Sequence, residues 1–157
     1  MAVSVSKTGE LAFVTIDNPP VNAASQTVRA GLMAAIAETE ADDKVQVVIL
    51  RAAGATFTAG ADVSEFDKPP LEPHLPDVIL ALEATTKPWV AALHGSILGG
   101  GLEIALGCHY RVAHAKSKLG TPEVNLGLIP GAGGTVRLPR LIDPNAALTM
   151  MLSLIHI

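Results

Sequence analysis

Short β-branched runs alternate with helix-period segments along this chain, and that alternation limits its fold more than any single motif does. "VQVVILRA" (Val45–Ala52) is β-branched and too short for a helix of ordinary length, so it reads as a buried strand. "ELAFVTID" (Glu10–Asp17) ends at "NPP" and reads as another strand. Between them Val28, Leu32 and Ile36 share one helical face, which predicts a helix capped by Ser25 and running to the acidic "ETEADD". Further on, "VILALEATTK" reads as helix, "PWVAALHG" as strand, "GGLEIALGC" as a short helix and "YRVAHA" as strand. "GAGGTVRLPRLI" reads as a glycine-rich turn leading into helix. The four prolines of "PPLEPHLPD" predict an irregular surface segment, and "GATFTAGADVSEF" a Gly/Ala-rich loop. Strand alternating with helix in this way predicts an α/β layered fold with largely parallel pairing.

Composition removes several function classes. A length of 157 residues suits one domain. No apolar run approaches the roughly 18 residues that cross a bilayer, and "MAVSVSKTGELAF" lacks the basic and apolar regions of a secretory leader. A single cysteine, Cys108, excludes an internal disulfide and fits a reducing compartment. A net charge of −4 with no dense Lys/Arg block speaks against nucleic acid as the partner. The five histidines stand apart from one another, with no metal-ligand spacing. Both glycine clusters fail the dinucleotide pattern, at Ile104 and at Val136, and no phosphate-binding P-loop occurs. "GSILG" around Ser96 has the wrong spacing for a nucleophile elbow.

"HGSILGGGLEIALG" (94–107) combines three glycines with a lone acid, Glu103, in an apolar run. Gly99 to Gly101 lie between a predicted strand and a predicted helix, where backbone N–H groups are unpaired and the helix dipole favours negative charge. Such amides can polarise a carbonyl oxygen, and "TAGAD" (Thr58–Asp62) is a plausible second donor loop. Glu103 stands one turn into the helix, and Glu123 follows Pro122 in "GTPEVNLG". Two carboxylates in one apolar pocket would drive their pKa values apart, giving one acid and one base. The plainer alternatives are a solvated Glu103, a surface-turn Glu123 and Asp62 as a helix cap. In the same vein His94 and His109 are structural, Cys108 is a small buried hydrophobe, Lys116 and Lys118 face water, and Arg137 and Arg140 are surface or ion-pair residues.

"FTAGADVSEF", "HGSILGGGLEIALGCHYRVA" and "LGTPEVNLGLIPGAGGTVRLPRLI", in that order, resemble the enoyl-CoA hydratase/isomerase (crotonase) family. The wording of the second and third is most similar to hydratase modules of multifunctional fatty-acid β-oxidation proteins. The resemblance implies a crotonase-like spiral of ββα units over residues 1–151, with the family's C-terminal helical part missing. It implies an oxyanion hole from the amides of Ala61 and Gly100, with Glu103 and Glu123 as catalytic acids. Coenzyme A is expected along Asn22 and Ala23 and along Ala59, Gly60, Asp62, Val63 and Ser64. The implied reaction is hydration of trans-2-enoyl-CoA to 3-hydroxyacyl-CoA, with no metal and no redox cofactor, NAD entering only if a dehydrogenase module follows. An acyl-CoA substrate, a homo-oligomer or downstream module, and a cytoplasmic location complete the expectation.

Three other readings stand beside it. They are a double-bond isomerase of the same family, a non-catalytic acyl-CoA-binding fragment, and a serine peptidase on the same scaffold using Ser96. "LSLIHI" (Leu152–Ile157) matches no family motif and reads as in-frame sequencing adaptor. A chain without the family's C-terminal helices is expected to aggregate and to show little activity.

Overall fold

In the computed structural model, which describes residues 1–153, strand β1 (Val3–Thr8) pairs antiparallel with β2 (Leu11–Ile16) around the tight turn at Gly9. β2 continues in parallel into β3 (Val47–Ala52), β4 (Trp89–Leu93) and β6 (Tyr110–Ala113), giving the order β1-β2-β3-β4-β6. The expected parallel α/β layering is therefore present. Alternate residues of each central strand enter the core: Ala12, Val14 and Ile16 from β2, Val48 and Leu50 from β3, Trp89 and Ala91 from β4. β3 begins two residues later than the apolar run suggests, because Val45 closes a turn onto the carbonyl of Asp42.

Helix α1 (Gln26–Ala41) buries Val28, Leu32, Ala35 and Ile36. Full burial of one such large aliphatic side chain contributes about 1.5–3 kcal/mol. Ser25 does occupy the N-cap position, but its hydroxyl caps nothing. The first amide of the helix, that of Gln26, donates instead to the Glu65 carboxylate at 2.7 Å. At the other end Lys87 Nζ donates to the carbonyls of Thr39 and Asp42, both at 2.6 Å, placing a cation where the helix dipole favours one.

The proline-rich segment is irregular as far as His74, and Arg29 of α1 holds it in place. This nearly buried guanidinium donates to the carbonyls of Pro73 (2.7 Å) and Leu71 (3.0 Å) and pairs with Glu65 at 2.8 Å. Helix α2 (Leu75–Glu83) starts earlier than the prolines suggest, because Pro76 falls in its first turn, where no N–H is required. The Asp77 carboxylate accepts from the amide of His74 at 3.0 Å.

β5 (Ser96–Leu98) and β7 (Lys118–Gly120) form a separate two-stranded parallel sheet, and Thr58 bridges to Ile97 at its edge. Each turn of the chain thus supplies one strand to the large sheet, extended backbone to the small one, then a helical element. β3, Thr58 and α2 make one such turn; β4, β5 and α3 (Gly100–Gly107) make the next. That is the expected ββα spiral. Every residue of α3 is buried. Its neighbour α4 (Gly134–Leu141) packs against it and against α5 (Pro144–Ser153). Leu152 belongs to α5, whereas residues 154–157 of the tail set apart above lie outside the described residues.

Candidate active site

The site is assembled where the small sheet hands the chain to α3. Gly99 carries φ 49° and ψ −127°, a backbone conformation that glycine adopts and L-side chains avoid. Its amide donates to the carbonyl of Gly120 at 2.9 Å, which ties the start of α3 to β7. Gly101 has a different requirement, since a β-carbon there would lie 2.7 Å from the carbonyl oxygen of Thr58. The glycine run thus lets α3 settle directly onto the Thr58–Ala61 backbone.

That backbone is fixed by its own ladder. Leu98 donates to Thr58 O at 3.0 Å, Ala59 to Val21 O at 3.0 Å, and Ala24 to Gly60 O at 2.8 Å. The amides of Ala61 and Gly100 donate to no protein acceptor among the described residues. They lie close together, for a β-carbon on Gly100 would stand 3.5 Å from Ala61 N.

Glu103 is only 2% exposed, so the solvated alternative does not hold. Its Oε1 accepts from the amides of Ala132 and of Gly134, each at 2.8 Å. Two charge-assisted bonds on one oxygen fix the carboxylate and leave its other oxygen without a protein partner among the described residues. Glu123 stands at the start of a 3-10 turn, Pro122–Leu126, as the surface-turn alternative has it. Its carboxyl nevertheless turns inward, and Oε2 is buried without a hydrogen bond. Burial pushes this carboxyl above the usual glutamate range, and the neighbouring Glu103 charge pushes it the same way.

Ala61, Gly100, Glu103 and Glu123 all line one cavity of about 310 Å³. Its remaining wall is mostly apolar, from Val63, Phe66 and Leu75 on one side and Leu126, Leu128 and Ile129 on the other. Ala59 and Gly60 line it too. Asp62 caps the short turn Val63–Glu65 by accepting from the amide of Ser64 at 3.0 Å. Asn22 and Ala23 are not part of the cavity wall. Asn22 is buried, and its amide group donates to the carbonyls of Ala53 (2.8 Å) and Thr56 (2.7 Å) while Oδ1 accepts from Asn18 N (2.8 Å). Its side chain therefore fastens three stretches of backbone together behind the Thr58–Ala61 segment.

The amides of Ala132 and Gly134 were not singled out from sequence, although "GAGG" was visible as a turn; the signal was the missing side chain at Gly134. A β-carbon there would lie 3.0 Å from Glu103 Oε1. His94 and His109 have structural partners. Nδ1 of His109 accepts from the amide of Trp89 at 3.2 Å, and His94 Nε2 meets the carbonyl of Gly54 at 3.0 Å. Burial pushes the Cys108 thiol up to about 12, which leaves it unreactive at neutral pH. Lys116 and Lys118 are exposed, and Arg137 is in an ion pair with Glu83. Among the described residues no group of three or more His, Cys, Asp or Glu is placed to hold a metal ion. None of their helices is long and apolar enough to cross a membrane.

The chain is similar in sequence and fold to known proteins. The zebrafish (Danio rerio) peroxisomal bifunctional enzyme is 47% identical over 147 residues, covering 94% of this chain and 20% of that protein. A probable enoyl-CoA hydratase of Bacillus subtilis is 40% identical over 157 residues, covering 96% of this chain and 61% of its own length. The crystal structure of an enoyl-CoA hydratase from Bacillus anthracis superposes with a TM-score of 0.89 at 32% identity, covering 96% of this chain and 62% of that one. The chain thus spans less than two thirds of each. Residues 6–157 match the enoyl-CoA hydratase/isomerase family, and the chain belongs to it.

Proposed function

We propose that the protein adds water across the double bond of trans-2-enoyl-CoA to give 3-hydroxyacyl-CoA, a step of fatty-acid β-oxidation. The observation that carries this reading is the meeting of two carboxylates and two unpartnered amides around one apolar cavity. In it, the amides of Ala61 and Gly100 receive the thioester oxygen and stabilise the negative charge it gains. Glu103, pinned through Oε1, presents its free oxygen to water and takes a proton as the water oxygen attacks C3. Glu123, whose carboxyl burial pushes toward the protonated form, delivers a proton to C2. A proton then passes from Glu103 back to Glu123, and the cycle is balanced.

No electrons change hands, so the chemistry takes no redox cofactor, and the two amides polarise the thioester oxygen in the place a metal ion would take. NAD enters only with a dehydrogenase module, if the full protein carries one. Coenzyme A would lie along the Ala59–Ser64 backbone, with the Asn22–Ala23 loop supporting that backbone from behind. The cytoplasm was the expected compartment; the zebrafish relative is named peroxisomal, which makes the peroxisome its rival.

A double-bond isomerase is the second reading, and the presence of both carboxylates favours hydration over it. A version carried on to the full length of the relatives is expected to consume crotonyl-CoA with formation of the 3-hydroxy product. Turnover of a 3-enoyl-CoA without hydration would overturn the proposal in favour of isomerisation, and acyl-CoA binding without either reaction would favour a binding role.

A further inference from the structure

Two amides hold Glu103, and both belong to the Ala132–Gly134 loop, so what holds that loop bears on the carboxylate. Arg137, in the first turn of α4, folds back over it. Nη1 donates to the carbonyl of Ala132 at 3.0 Å, the residue whose own amide reaches Glu103 at 2.8 Å. The guanidinium is packed so closely above Gly133 that a β-carbon there would collide with Nη1. Gly133 itself carries a φ of 97°. The other edge of the guanidinium grips Glu83 in a two-pronged pair, Nε to Oε1 and Nη2 to Oε2, both at 2.6 Å. Glu83 is the last residue of α2, the helix whose start supplies Leu75 and Pro76 to the cavity wall.

We infer that Arg137, anchored by Glu83, is a positioning residue that locks the Ala132–Gly134 amides onto Glu103. A bidentate arginine–carboxylate pair fixes orientation as well as charge. The fork leaves Nη1 one direction in which to point, and that direction is the Ala132 carbonyl. The held carbonyl belongs to the Ala132–Gly133 peptide plane, and fixing that plane restrains the two flanking planes, whose N–H groups, of Ala132 and Gly134, stay aimed at one oxygen. The positive charge also lies near the Glu103 carboxylate. Arg137 does not itself line the catalytic cavity. It acts through the loop.

R137Q and E83Q test this in a full-length version, with amide hydrogen exchange by NMR as one readout and crotonyl-CoA hydration as the other. In R137Q, exchange at Ala132 and Gly134 is expected to rise above that of neighbouring amides of α2 and α4. The kcat is expected to fall roughly tenfold to a hundredfold with KM little changed, as displacement of a reacting group predicts. Wild-type exchange at these two amides, or a uniform rise across both helices, would overturn the inference and reduce the pair to a strap between helices. Should R137Q not fold, E83Q decides by the same criteria, because Glu83 is partly exposed and its glutamine keeps one acceptor. The activity arm rests on the proposed hydration. If the wild-type chain hydrates no enoyl thioester, that reading fails while the exchange result still decides this one.

Discussion

A β-carbon on Gly99 would stand 2.8 Å from Oε1 of Glu123, so the absence of a side chain at one residue is what admits the carboxylate of the other. The same glycine also holds φ at 49° and ψ at −127°. Gly99→Ala therefore meets two obstacles at once, backbone strain of about 1–3 kcal/mol and a displaced acid. Denaturant unfolding is expected to show the stability loss, and hydration of crotonyl-CoA to fall at least about tenfold. A Gly99→Ala protein of unchanged stability and activity would mean that neither contact matters.

Glu103→Gln and Glu123→Gln, made in a full-length version, preserve size and remove the capacity to take or give the proton. Each is expected to lower kcat by about 10²–10⁴-fold while acyl-CoA binding, read by calorimetry, changes little. For Glu103 the glutamine carbonyl can still accept from Ala132 and Gly134, so the fold of the loop should survive. Wild-type turnover by either variant would remove that residue from the mechanism.

Gly100 opens α3, a first-turn position where proline is tolerated. Gly100→Pro deletes the unpartnered amide, and its β-carbon would lie 2.7 Å from the end of a flexible side chain, Leu75 Cδ2, and 3.5 Å from Ala61 N. A loss of about 10²–10³-fold is expected for one oxyanion donor, with circular dichroism verifying that the helix content is intact. A folded, fully active variant would place the thioester oxygen elsewhere.

Stability should report the buried acid independently of catalysis. The Glu123 carboxyl is raised in the folded protein, so folding favours its protonated form. The sign follows: its contribution is fully present below the unfolded glutamate value of about 4.3 and is lost as pH rises through the folded value. Glu123→Gln is therefore expected to melt higher than wild type at pH 7, and the gap should close as the pH is lowered below about 4.3. A gap that widens toward low pH would contradict the burial of this carboxyl.

Much of this architecture was legible because its signals are local. The β-branched run before Ala52, the apolar face of Val28, Leu32 and Ile36, and the glycines ahead of Glu103 each declare an element by periodicity or by a missing side chain. β5 and β7 went unread because strands of three residues have no period of their own; pairing with each other makes them strands. β1 had its alternation of Val3 and Val5 with Ser4 and Ser6, but only two apolar residues carry it. Around the cavity, Glu103 and Glu123 stand out by residue type and place, Ala61 and Gly100 through the family resemblance, and the fold brings all four together. Their supports were hidden by distance along the chain. Ala132 and Gly134 lie 29 and 31 residues beyond Glu103, and they act through backbone N–H groups that every non-proline residue has. Glu83 and Arg137 are 54 apart, each an ordinary surface-type residue until the spiral brings α2 beside α4.

Helix α3, buried along its whole length, lacks the outer face on which an ordinary helix absorbs mutations at little cost. Any added or deleted methylene from Gly100 to Gly107 is felt by the core. The element that carries Glu103 therefore has little room to drift. Adaptation to a different acyl chain would fall instead to the cavity's partly open rim, where Val63, Phe66, Leu126 and Ile129 can change volume while the spiral behind them stays put.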